Sequence, residues 1–258
     1  MGDIVNYSKT TYINKKIMTN RLAKPVLSSL IFASLTGAAI EVGAYEAGDI
    51  ILRVGPTLVQ PDDSSGDLFA DNLGNLTSAL GTKTGVGVDS NTQAGITATY
   101  MMSDKWGIEL LAATPFEHDI SAKGTGALGV TSVGDTKHLP PTLSMLYFSA
   151  ASSSPFQPFI GIGINYTIFF DESASSNFES VFGDSSLSLD DSWGISGRIG
   201  FDYNFSNNWG FTASAWWIDI DTEGMVKSPS GVGLGVTEIN VDAQIDPVVY
   251  QLGLNYKF

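Results

Sequence analysis

The feature that most constrains this chain is a set of segments in which large apolar residues take every second position and small or polar residues fill the gaps. At the C-terminus Val248, Tyr250, Leu252, Leu254, Tyr256 and Phe258 share one face, while Val249, Gln251, Gly253, Asn255 and Lys257 share the other. Ile160, Ile162, Ile164, Tyr166 and Ile168 alternate likewise with Gly161, Gly163, Asn165 and Thr167. Successive side chains of a strand point to opposite sides, so a two-residue period marks strands with unlike faces. Similar segments centre on Leu52, Ile96, Ile108, Leu143, Ile195 and Phe211, which makes eight predicted strands. Such strands either close into a barrel or stack as a two-sheet sandwich.

The connections bear on that choice. Ser103-Asp104-Lys105, Ser149 to Pro155 and Asn204 to Asn208 are short, whereas 61–91, 117–138, 171–186 and 221–246 are long and polar or Gly-rich. An even strand count with short turns on one side and long connections on the other describes an outer-membrane barrel. A soluble sandwich also alternates, but its polar face meets water. Here that face is rich in Gly and small residues, which suits a crowded lumen. Trp106, Tyr147, Phe148, Phe156, Tyr203, Trp209, Tyr256 and Phe258 gather at strand ends, where a membrane barrel carries its aromatic girdles.

Composition narrows the function classes. Lys and Arg number 13 against 27 Asp and Glu, so the net charge is −14 and nucleic acid is excluded as a partner. The absence of Cys excludes disulfides, thiolate zinc sites and thiol chemistry. Before the first strand, Lys15, Lys16, Arg21 and Lys24 precede the apolar run Pro25 to Ala39, and Val42-Gly43-Ala44 offers a cleavage site. That order of basic, apolar and small residues reads as an export signal over 1–44, with 45–258 as the mature barrel. Met18 stands just before the basic start of this signal, so either Met1 is the start or 1–17 form an upstream extension of a start at Met18. Catalysis finds no support: His118 and His138 have neither metal-ligand spacing nor a nucleophile motif beside them. No cofactor and no metal is expected, and the reading is of a non-enzyme.

Longer stretches are more specific. Tyr45-Glu46-Ala47-Gly48, Glu109 to Phe116 (ELLAATPF), His138-Leu139-Pro140-Pro141-Thr142, Gly161 to Thr167 (GIGINYT), Asp191-Ser192-Trp193-Gly194 and Ile218 to Thr222 (IDIDT) stand in an order that resembles the OmpW family of small outer-membrane barrels. The resemblance covers nearly all of 45–258 and is weakest in the first and last long connections. It implies an eight-stranded barrel in the bacterial outer membrane with a narrow hydrophobic channel for small apolar molecules. It also implies a channel gate of Leu111 and Trp216, and a C-terminal signal, Tyr256 and Phe258, read by the barrel-assembly machinery.

Strand parity bears on the interior. A charge facing lipid is costly, so Glu109 points inward and Leu111 follows it; Thr212 and Ser214 place Trp216 inside and Trp217 outside. Asp219 then requires a bulge or emergence from the bilayer. Glu109, Arg198, Gln251 and Lys257 are expected to form a polar plug toward the short-turn end, as a stabilising network or an ion path. Pro140 and Pro141 lack N–H donors and mark either strand ends or a lateral opening, the route by which an apolar molecule reaches the bilayer without entering water. The expected partners are outer-membrane lipids and small hydrophobic molecules. The alternative is a structural barrel whose long connections present a receptor surface to a phage or toxin.

Overall fold

The computed structural model describes residues 45–62, 64–230 and 235–258. The expected export signal and its alternative start lie outside the described residues. Eight antiparallel strands form the barrel: β1 (Ile50–Gln60), β2 (Asn91–Met101), β3 (Trp106–Ala113), β4 (Thr142–Phe148), β5 (Phe156–Ala174), β6 (Ser192–Asn204), β7 (Trp209–Ile218) and β8 (Val248–Lys257). Each pairs with its neighbours in sequence, and β1 pairs with β8 from Ile51↔Lys257 to Gln60↔Val248, which closes the ring. Where β1 and β8 cross, Gly55 faces the Leu252 carbonyl so closely that a Cβ has no room, and Gly253 stands in the same relation to Val54.

Burial decides between barrel and sandwich. Ile162 is 76% exposed and Leu252 64%, while Thr97, Thr99, Asn165 and Gln251 on the opposite face are fully buried. A soluble protein hides its apolar face; this one displays it, as a lipid-facing wall requires. Among the described residues no helix is long and apolar enough to cross a membrane, so the strands make the crossing. Paired rings ring the short-turn end, with Trp106 on Tyr147 at 4.9 Å and Trp209 on Tyr256 at 4.8 Å. Tyr166 stacked on Trp193 at 4.4 Å marks the opposite interface.

The long connections differ from the irregular loops that their polar composition suggests. They build a cap of strands. Gly85–Val88, Phe116–Lys123 and Ser132–Leu139 extend the barrel wall by pairing outward from the far half of β5. A second sheet joins Ser186–Leu189, Asp221–Lys227 and Glu238–Gln244 with short pieces at Ser64–Ser65, Phe69–Ala70 and Gly74–Asn75. The two sheets face each other across a core that includes Leu68, Val86, Ile120, Leu187, Val226 and Ile239. A helix at Ser176–Phe182, capped by the Ser175 hydroxyl accepting from the Phe178 N–H at 3.1 Å, adds Phe178 and Phe182 to that core.

Between barrel and cap the chain keeps its parity. Ile218 and Ile220 are both buried, with Asp219 between them on the outer side, its N–H donating to the Ile195 carbonyl at 2.9 Å. The strand register thus continues through the acidic residue without a bulge.

Candidate binding chamber and channel

The interior is layered along the barrel axis. Nearest the short turns, Tyr45, Ile51, Met101, Leu146, Phe148 and Phe159 form an apolar floor. Above it lies a buried ion cluster. Arg53 donates to Asp202 through Nε at 2.9 Å and Nη2 at 2.6 Å, and its Nη1 lies 3.1 Å from Glu109 Oε2. The Tyr45 hydroxyl donates to Asp202 at 2.9 Å, and the Thr99 hydroxyl to Glu109 at 2.8 Å. Arg198 contacts Glu109 as well, and its guanidinium lies between two rings, 4.7 Å from Phe159 below and 4.0 Å from Trp216 above.

Four residues were expected in this plug, and the structure divides them. Glu109 and Arg198 meet. Gln251 lies beside them, opposite Ser214 and bonded to Thr57 at 3.3 Å. Lys257 sits nearer the rim, half-buried, 3.5 Å from Asp49. The partners not anticipated are Arg53, Asp202 and Tyr45. The first two share the inward face of their strands in the sequence pattern; only the register brings their charges together.

Leu111 and Trp216 occupy the next layer. They belong to one buried cluster with Val59, Phe116, Phe169, Ile218, Ile220 and Val249. Val59, Phe169 and Ile220 of this cluster also line a partly enclosed cavity of about 70 Å³ within the cap. Its walls are almost wholly aliphatic and aromatic, including Val86, Leu187 and Val226. Walls of that kind suit an apolar guest better than ordered water, which needs several polar partners.

Two imidazoles interrupt the apolar lining. His138 stacks on Phe116 at 5.4 Å and on His118 at 5.0 Å, so three flat rings form a column rising from the Leu111–Trp216 layer into the cap. Burial, with His118 alongside, pushes the His138 imidazole down to about 3. Burial lowers His118 as well, opposed by the Asp89 and Asp119 carboxylates facing it. Both rings are neutral at pH 7 in the fold, whereas an unfolded cap takes up protons near pH 6.5. The unfolded cap binds more protons from about pH 6.5 down to about 3, so cap stability is intact above that window and falls as pH drops through it. Amide exchange across 116–139, corrected for intrinsic rate, should therefore quicken as pH falls below 6.5, and less so in His138→Phe.

The ladder of the wall is interrupted between β1 and β8, where Gly55 and Pro56 stand unpaired against Leu252 and Gly253, and again where the barrel passes into the cap. The chain through β3 into Phe116–Lys123 pairs with the chain from Ser132–Leu139 into β4 as far as Leu111↔Thr142 on one side and from Phe116↔His138 on the other. Between these pairs lie Ala112 to Pro115 against Leu139 to Pro141. On its other edge the Pro140–Pro141 step stays attached to β5, since the Tyr166 N–H donates to the Pro141 carbonyl at 3.1 Å. At the C-terminus Phe258 is exposed to the lipid side and packs on Tyr256 at 4.6 Å, with its N–H donating to Ile50.

The profile of the OmpW family matches residues 46–258, end to end across barrel and cap. The chain belongs to the OmpW family. Outer membrane protein W of Vibrio cholerae serotype O1 is 40% identical over 230 residues, covering 88% of this chain and 96% of that one. The crystal structure of OprG, an outer membrane protein from Pseudomonas aeruginosa, has 42% sequence identity and a TM-score of 0.75, covering 85% of this chain and 99% of that one. A Pseudomonas aeruginosa protein named for a dibenzothiophene metabolism operon is 24% identical over 160 residues, or 62% of this chain and 68% of that one. This OmpW-family member is thus a barrel of the bacterial outer membrane, with short turns on the periplasmic side and the cap on the extracellular side.

Proposed function

We propose that the protein takes up small apolar molecules, which enter the cap chamber from outside and leave sideways into the bilayer. The observation that carries this reading is an apolar cavity in the cap that shares Val59, Phe169 and Ile220 with the buried Leu111–Trp216 cluster, above a lumen filled by buried ion pairs and a floor of rings. Leu111 and Trp216 act as the gate that ends the chamber. The kinship with a protein named for dibenzothiophene metabolism supports an apolar cargo. No catalytic step is part of the reading.

The exit follows from energetics. An apolar molecule gains about 25 cal/mol for each Å² removed from water. Passage to the periplasm takes it past Arg53, Glu109, Arg198 and Asp202 and then returns it to water, so that gain is lost. Lateral transfer keeps the gain. The ladder gap at Pro140 and Pro141 is the seam suited to it, because a proline offers no N–H with which to close a strand pair. Extending the Leu111↔Thr142 register brings Ala112 opposite Pro141. Cells carrying Ala112→Cys with Pro141→Cys should lose uptake of an apolar dye when oxidised and regain it on reduction. Full uptake by the cross-linked barrel overturns the lateral route.

A further inference from the structure

Among the polar atoms of the chamber lining, one is completely buried and left without a hydrogen-bond partner by the fold, His118 Nε2. Thr125, Thr136, Thr167 and Thr222 also line the space, and each hydroxyl donates to a carbonyl oxygen of the backbone or of an amide side chain. His118 is different. Its ring is 2% exposed, and its Nδ1 lies 2.6 Å from the backbone carbonyl of Asp89. A carbonyl only accepts, so Nδ1 carries the proton and, in the neutral ring, Nε2 presents a bare lone pair. That Nε2 is buried and meets no hydrogen-bond donor among the described residues. The ring cannot turn to relieve it, because it is held flat against His138 at 13° between planes and bonded on its other side to Asp89.

From this geometry we infer that the chamber selects apolar molecules bearing one hydrogen-bond donor, small monohydroxylated hydrocarbons, whose hydroxyl donates to His118 Nε2 while the hydrocarbon body fills the aliphatic space. The inference rests on the uptake reading above and sharpens its substrate class. A hydroxyl buried without a partner opposes binding, and so does a buried acceptor left bare; one bond between guest and wall removes both penalties. Ethers and ketones, which only accept, gain nothing at this atom. The neighbouring threonine hydroxyls already donate within the protein, so an acceptor group on the guest finds no free hydroxyl proton there.

Phenol and toluene test this, being nearly the same size and differing in the donor. The full barrel in detergent micelles is titrated with each, following NMR shifts of the 116–139 strands and referring affinities to the ligand free in the micelle phase. His118→Phe keeps a flat ring in the column and removes Nε2. It should weaken phenol binding about tenfold, leaving toluene within about twofold, consistent with one charge-free hydrogen bond. In the wild-type barrel, the ¹⁵N resonance of His118 Nε2 should move with phenol and stay fixed with toluene, a reading that needs no variant. His138→Phe removes the other ring nitrogens of the lining while keeping a flat ring against His118, and should keep the preference for phenol. Loss of the phenol preference there, with His118→Phe retaining it, would overturn the assignment to His118 Nε2. An unchanged phenol-to-toluene ratio in His118→Phe, or an Nε2 resonance indifferent to phenol, overturns the donor selectivity and leaves the apolar chamber standing. If neither compound perturbs the chamber, the uptake reading itself fails, and this inference with it.

Discussion

Replacing Asp202 by Ala should cost the barrel about 3–5 kcal/mol, the usual loss when one member of a buried ion pair is removed. Asp202 is fully buried and receives two nitrogens of Arg53 and the Tyr45 hydroxyl. Without it, Arg53 and Arg198 are left to share the single carboxylate of Glu109. Unfolding by guanidinium, followed by the mobility of heat-modifiable barrel on gels, should shift to a clearly lower midpoint. The double change Arg53→Met with Asp202→Leu should recover most of the loss, because apolar side chains of similar volume tolerate the same site. An Asp202→Ala barrel as stable as the wild type would mean that the cluster does not hold the strands together.

The second large effect belongs to the layer above. Trp216→Ala should cost about 3–5 kcal/mol and Leu111→Ala about 2–5, with the double variant losing less than the sum because both side chains fill one cluster. The vacated space deepens the chamber toward Arg198, so larger apolar guests should bind in the double variant. Ion conductance should nonetheless stay at the wild-type level in planar bilayers. Beneath the gate the ion cluster remains, and beneath that the floor of Tyr45, Phe148 and Phe159. A clear rise in conductance would show that Leu111 and Trp216 alone seal the lumen.

Much of the barrel was legible because lipid on one side and a crowded lumen on the other force an uninterrupted period of two. Charge then settles parity: once Glu109 points inward, Leu111 does too, and the structure buries both. What periodicity cannot supply is register. Arg53 and Asp202 both lie on inward faces, yet 149 positions separate them, and nothing local announces that they meet. The cap escaped for a different reason. Phe116, His118 and Ile120 alternate with Glu117, Asp119 and Ser121, and Ile239, Val241 and Ala243 alternate as well. These strands are short, polar on the outside and broken by Gly, so they read as loops when judged against membrane strands. The two histidines looked inert by motif, since their significance lies in burial and in the fixed tautomer of His118.

The way the cap is assembled from distant pieces governs the time course of maturation. Apart from the closure of β8 onto β1, barrel strands pair with their neighbours in sequence. The cap sheet instead brings Asp71 onto Thr237, 166 residues away, and lays Glu238–Gln244 against Ser64–Ser65 and Phe69–Ala70. Contacts of such sequence separation form slowly, because loop closure must precede any reward. They also wait for the last connection to be delivered to the cell surface. A newly inserted molecule therefore passes through a stage in which the wall is complete, the roof unmade and the cargo site absent.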